Sequence, residues 1–261
     1  MKSQGVAFKA AWVAAGCLTG ALMAAPAGAA PVAVSVQDFG SNVTAARGAL
    51  DALSAGRPFV REDFEGFTSG DLVTDFVGGL GTAVGRLTRG AGASDGTGIC
   101  DDDDANCTSP GILDAAGSPF NGRFNTTASG ANWLDSNDVT ELVWDVDVPT
   151  LPRFDRLAFL MTDMGDVGGT LTVTFASGAT DSVAIAAQAN GSINLISADF
   201  TPDVVSATVT FANTSTNDGF GIDDLTVVAV PAPATLGLFG LGLLALGAAA
   251  QVSARTRKSR R

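Results

Sequence analysis

The residues able to do chemistry in this chain are mostly carboxylates, because neither histidine nor tyrosine occurs anywhere in its 261 residues. The densest group is Asp101-Asp102-Asp103-Asp104, held between Cys100 and Cys107. Four adjacent carboxylates repel one another, so this loop is either solvated or neutralised by a divalent cation. An EF-hand loop needs acids at alternate positions, Gly at the sixth and Glu at the twelfth. Counted from Asp101, the fifth, sixth and twelfth positions are Ala105, Asn106 and Ile112, which excludes that motif. A solvated loop and an irregular calcium site remain as the two readings.

Enzymatic groups are scarce. No serine nucleophile motif is present, and without histidine the commonest base that would activate one is missing. A glycosidase needs only two suitably spaced carboxylates, but among 27 acids such a pair can be drawn almost anywhere and so carries no weight. The expectation is a protein that is not an enzyme. Trp133 lies in a polar run and is a candidate for stacking on a sugar ring, whereas Trp144 sits in strand alternation and is expected in the core.

Charge narrows the partners further. Once the N-terminal 29 residues and the tail are set aside, 8 basic residues face all 27 acids, a net charge of −19. Nucleic acid requires a basic footprint and is excluded as a partner. Cations and neutral glycans fit better.

The elements that must position these groups read mainly as strands. From Ser41 to Ala55 the apolar positions Val43, Ala46, Leu50 and Leu53 follow helical spacing, with Ser41 or Asn42 as cap. Strands are expected over Arg57–Phe67, Leu72–Val77, Thr82–Leu87, Val139–Val148, Phe154–Met161, Thr170–Phe175, Asp181–Ala186, Ile193–Ile196, Val204–Phe211 and Phe220–Val230. Loop and a short strand are expected over Gly122–Trp133, and Asp163 and Asp166, flanking Gly165, are expected to shape a turn. Short, regularly spaced strands predict an all-β antiparallel sandwich with one short N-terminal helix.

The chain ends carry addresses. Lys2 and Lys9 precede the apolar run Ala10–Ala25, and Ala27-Gly28-Ala29 offers small residues for signal-peptide cleavage after Ala29. A lipid anchor on Cys17 is the alternative, although Ala14 stands where lipoprotein signals carry Leu. Cys100 and Cys107, in an exported protein, are expected to form a disulfide. At the other end Val230-Pro231-Ala232-Pro233 leads into an apolar segment, 234–254, long enough to cross a bilayer as a helix, and residues 255–261 are basic. This ending resembles the PEP-CTERM sorting signal of Gram-negative exopolysaccharide producers, with Ala232 where that family usually has Glu. The resemblance implies recognition by an exosortase, transient residence in the inner membrane, and a final place at the cell surface or in the matrix. An ordinary C-terminal anchor is the other reading. The expected layout is a signal peptide (1–29), a lead segment with the helix (30–56), a β-sandwich (57–229) and the sorting tail (230–261).

A second resemblance covers the middle of the chain. Asp63-Phe64-Glu65 and the run Asp218-Gly219-Phe220-Gly221-Ile222-Asp223-Asp224-Leu225 are similar to the first and last strands of galactose-binding-like jelly rolls, many of which bind carbohydrate. In such modules those strands lie close together. The resemblance implies a structural calcium ion held by Asp63, Glu65, Asp223 and Asp224, whose mutual repulsion the ion would offset. It also implies a non-enzymatic surface or matrix protein associated with exopolysaccharide, or a carbohydrate-binding module for it.

Overall fold

The computed structural model describes residues 32–92, 109–114, 122–137, 139–165, 167–174, 179–213 and 219–230. In chain order these form β1 (Val32–Asp38), α1 (Val43–Ser54), β2 (Phe59–Glu62), β3 (Leu80–Thr82), β4 (Gly85–Arg89), β5 (Gly111–Asp114), β6 (Asn132–Asp135), β7 (Glu141–Val146), β8 (Phe154–Thr162), β9 (Val167–Thr174), β10 (Thr180–Ile185), β11 (Ile193–Val204), β12 (Ser206–Asn213) and β13 (Gly221–Ala229). The first sheet has seven strands in the order β1-β11-β8-β13-β6-β5, with β2 also paired to β13. The second has six, in the order β10-β9-β12-β7-β4-β3. All of these pairings are antiparallel, so the protein is an all-β sandwich.

The two sheets are held together by side chains at alternate positions. On β7, Leu142, Trp144 and Val146 are buried while Asp145 is exposed, and on β12 Ala207, Val209 and Phe211 are buried, alternating with half-buried Ser206, Thr208 and Thr210 and exposed Ala212. Trp144 and Phe211 each meet Phe159 edge to face, at centroid distances of 5.9 and 5.4 Å. Such pairs add to the burial of large apolar surface. The expectation that Trp144 belongs to the core holds.

Strand β8 departs from alternation because its sheet is covered on both faces. Leu157, Phe159 and Met161 point into the space between the sheets, whereas Ala158 and Leu160 join Ile193 and Leu195 of β11 beneath Ala46 and Leu50 of α1. The helix begins where the spacing predicts, with Asn42 Oδ1 accepting the Ala45 N–H at 3.0 Å. Helix α1 therefore forms a third layer over β8 and β11.

Several elements differ from expectation. The first strand of the main domain is shorter, since Phe64 turns into the left-handed region (φ 58°) directly after β2. Leu72–Val77 forms a single 3-10 turn at Val73–Asp75, and Leu72 makes only one bridge, to Gly111. In the lead segment, β1 pairs along its whole length with β11, from Val32 against Phe200 to Asp38 against Asn194. The signal peptide, the Cys100–Cys107 loop with Asp101–Asp104, and residues 231–261 of the sorting tail lie outside the described residues. Among the described residues no helix is long and apolar enough to cross a membrane.

Candidate functional site

Asp223 and Asp224 sit where β13 changes partners along one edge. Gly221 and Ile222 pair with β6, Leu225 to Val228 pair with β2, and between them the register against β8 shifts between Asp223 and Thr226. This bulge places Asp224 in the left-handed region (φ 57°). Both carboxylates are buried and meet the segment that precedes β6. Asp223 Oδ2 accepts from the Thr126 and Thr127 N–H groups at 2.7 and 3.1 Å, and its Oδ1 accepts from the Asp224 N–H at 2.8 Å. Thr127 Oγ1 donates to Asp224 Oδ1 at 3.1 Å. Thr126 Oγ1 lies 2.9 Å from Asp223 Oδ2 and 3.0 Å from Asp224 Oδ2, but its one proton can serve only one of them at a time. The positive charge comes from α1, where Arg47 Nη1 donates to Asp224 Oδ2 and to Thr127 Oγ1. Burial, and then the adjacent charge of Asp224, push the Asp223 carboxyl well above the usual carboxylate range.

Glu65 and Asp63 have different tasks. Glu65 Oε1 accepts from the Ala131 and Asn132 N–H groups, each at 2.9 Å, and from Asn125 Nδ2 at 3.0 Å. It therefore holds the far end of the loop whose near end is gripped by Asp223. Asp63 Oδ1 accepts from the Glu65 N–H at 3.2 Å and closes the turn at Phe64. The structure brings Asp223 and Asp224 together at the bulge, while Asp63 and Glu65 bond the turn at Phe64 and the 131–132 end of the loop; among the described residues no group of three Asp, Glu or Cys side chains is placed to hold a metal ion.

Trp133 departs from its expected exposure. It is fully buried on β6, with Nε1 3.4 Å from Asp135 Oδ2, so it has no face to offer a sugar. Beside it lies an ion pair that sequence reasoning missed: Arg123 Nη1 to Asp135 Oδ1 at 2.8 Å, with side chains 1% and 0% exposed. Burial raises the Asp135 carboxyl above its ordinary value and Arg123 opposes that rise. The glycines of the Asp218–Asp224 run make room here, since a Cβ on Gly219 would collide with the Arg123 guanidinium and one on Gly221 with the Thr162 hydroxyl. Asp163, in the left-handed region between β8 and β9, accepts from the Gly191 N–H at 2.7 Å and so ties that connection to the residues before β11.

The described surface offers an open groove of about 420 Å³ on the outer side of the β3–β4–β7 region, lined by Gly81, Thr82, Gly85, Arg86, Asp145, Asp147 and Pro149. Gly85 (φ 127°) packs where a Cβ would collide with the Asp145 carbonyl, which keeps the hairpin close to β7. Arg86 and Asp145 are direct cross-strand neighbours. Arg86 Nη1 donates to the Gly78 carbonyl at 3.0 Å, and Asp145 Oδ1 accepts from Thr208 Oγ1 at 3.0 Å. Gly78 lines a second depression of about 300 Å³ with Phe76, Gly79, Thr88 and Arg89. Phe76 is 37% exposed and, with Phe59, Val77 and Val205, is one of four exposed large apolar side chains among the described residues. The sequence marks none of these residues as a site, because Phe76 fits strand alternation and Arg86 and Asp145 read as ordinary outward positions.

No protein-family model and no curated protein matches this sequence. Among solved structures, the K2 cleaved adhesin domain of Lys-gingipain is similar over 65% of this chain and 97% of its own, at 14% identity and a TM-score of 0.37. TmCBM61, solved in complex with β-1,4-galactotriose, is similar over 47% of this chain and 82% of its own, at 16% identity and a TM-score of 0.30. The enzymatically active domain of tailspike protein 4 from bacteriophage CBA120 is similar over 68% of this chain but only 20% of its own, at 14% identity and a TM-score of 0.26.

Proposed function

We propose that this is an exported, non-enzymatic surface or matrix protein that holds exopolysaccharide through the β3–β4 edge of its second sheet. The observation that carries the reading is the exposed Phe76 beside a groove where Arg86, Asp145 and Asp147 converge over glycines. An aromatic face can stack on a pyranose ring, and a guanidinium next to carboxylates can hydrogen-bond its hydroxyls. Such shallow, open geometry suits a segment within a long polymer. The terminal signals support export and sorting by an exosortase, with the inner membrane as a transient stop.

Affinity electrophoresis of the purified protein against a panel that includes β-1,4-galactan, cellulose, alginate and the host's own polysaccharide tests the reading. Binding should be lost in Phe76→Ala and in Arg86→Ala, with thermal melting unchanged, and kept in Asp71→Asn. Retained binding in both groove variants would overturn the site. Release of reducing ends from any of these polymers would return the protein to the enzymes. Intact-mass measurement of the mature product tests the addresses: cleavage after Ala29, loss of residues 255–261 and a mass two hydrogens below the reduced form for Cys100–Cys107. A product that keeps its basic tail in the inner membrane is an ordinary anchored protein.

A further inference from the structure

Among the described residues, Arg47, Arg57, Arg61, Arg123 and Arg156 each meet an aspartate carboxylate, and Arg89 meets none. Arg89 is the last residue of β4; it is half-buried, its Nε is buried without a hydrogen-bond partner, and it lines the depression of about 300 Å³ beside Phe76. No acid among the described residues shares that lining. The nearby carboxylates are engaged elsewhere: Asp75 Oδ2 accepts the Leu72 N–H at 3.3 Å, and Glu141 Oε1 accepts the Ala91 N–H at 2.9 Å. The walls of the depression are fixed without any ligand. The Val73 N–H donates to the Pro110 carbonyl at 2.8 Å and the Thr74 N–H to Ser109 Oγ at 3.2 Å, while the Gly79 N–H donates to the Phe76 carbonyl at 2.9 Å and closes the turn that carries the ring. Gly79 is in the left-handed region (φ 101°), where a Cβ would collide with the Leu87 carbonyl.

We infer that this depression is a subsite for the carboxylate of an acidic sugar, with Arg89 as the counter-charge and the Phe76 ring against the pyranose, so that the polymer held at this edge carries uronic acids among neutral sugars. A guanidinium offers paired N–H donors that match a carboxylate. One with no protein acid at hand gains more from an incoming anion than one already paired. The adjoining groove has the opposite bias, because Asp145 and Asp147 line it and Arg86 there already donates to the Gly78 carbonyl at 3.0 Å. It suits a neutral, hydroxyl-bearing sugar. With 27 acids against 8 basic residues between the two terminal signals, the protein repels a chain charged at every sugar but admits an isolated carboxylate at the arginine. The inference rests on the polysaccharide reading and names the class of polymer.

In the test, full-length protein isotope-labelled at its arginine nitrogens is titrated with methyl glucuronide and with methyl glucoside and followed by NMR, the Arg89 Nε–H signal being assigned by its absence in Arg89→Gln and in Arg89→Lys. The glucuronide should shift that signal saturably and the glucoside should leave it in place. Ligand-observed saturation transfer should show glucuronide binding weakened about tenfold in Arg89→Gln, the loss of a charge-assisted contact, and less in Arg89→Lys, which keeps a cation. A signal that ignores the glucuronide, or answers both sugars alike, overturns the acidic subsite even if neutral polymers still bind through Phe76. Equal loss of both sugars in Arg89→Gln would make Arg89 a packing residue and overturn it as well. Failure of every polymer to bind, with the glucuronide response intact, would remove the polysaccharide reading and leave the acidic-sugar subsite standing.

Discussion

Replacing Arg123 by Met should cost about 3–4 kcal/mol at pH 7, and the cost should shrink in acid. Arg123 and Asp135 are both buried, so removing the guanidinium strands a carboxylate in the interior. Breaking a buried ion pair by removing one partner typically costs about 3–5 kcal/mol. Two compensations hold the figure in the lower part of that range: the Asn137 N–H still donates to Asp135 Oδ1 at 2.7 Å, and Trp133 Nε1 lies 3.4 Å from Oδ2. The stranded group also has an escape, which is to bind a proton. From an ordinary value of 3.8, protonation costs about 4.4 kcal/mol at pH 7 but only about 1.6 kcal/mol at pH 5, at about 1.36 kcal/mol per unit. Urea unfolding followed by tryptophan fluorescence at both pH values reads this directly, because Trp133 and Trp144 are fully buried. In melting experiments the loss at pH 7 corresponds to about 6–16 °C for a domain of this size. Adding Asp135→Asn should recover most of the loss, since it removes the stranded charge. A loss under about 1 kcal/mol at pH 7, equal losses at the two pH values, or no recovery in the double variant would refute the reasoning.

Two further outcomes follow from the same geometry. Asp223 has a folded-state pKa above its unfolded value of 3.8, so its contribution to stability is fully present below that value and is lost as pH rises through the folded one; urea unfolding between mildly acid and neutral pH should show stability falling with pH, and less steeply in Asp223→Asn than in wild type. Asn42→Ala removes the acceptor for the Ala45 N–H and should cost about 1 kcal/mol, read by the same unfolding assay; an unchanged midpoint would mean that docking alone holds α1.

What the sequence by itself determined is what depends on neighbours along the chain. The period of two over Glu141–Val146 and Ser206–Asn213 and the helical spacing of Ala46 and Leu50 announced the strands and the helix, because alternate or every-third-and-fourth residues share a face whatever lies opposite. The pair Asp223-Asp224 likewise broke the apolar alternation of the last expected strand. What faces that interruption was decided only by tertiary structure. Asp224 meets Arg47 across 177 residues and Asp223 meets Thr126 across 97, and no local pattern encodes pairings at such separations. Trp133 illustrates the same limit: polar neighbours in sequence suggested exposure, yet β6 is covered on both faces, and its ring ends beside the Arg123–Asp135 pair. Strand β1 was not expected from the sequence, since its place at the sheet edge depended on the free side of β11, more than 150 residues away. Side-chain type set which groups could carry charge; the bulge in β13 and the docking of α1 decided that Arg47 would meet Asp224 there.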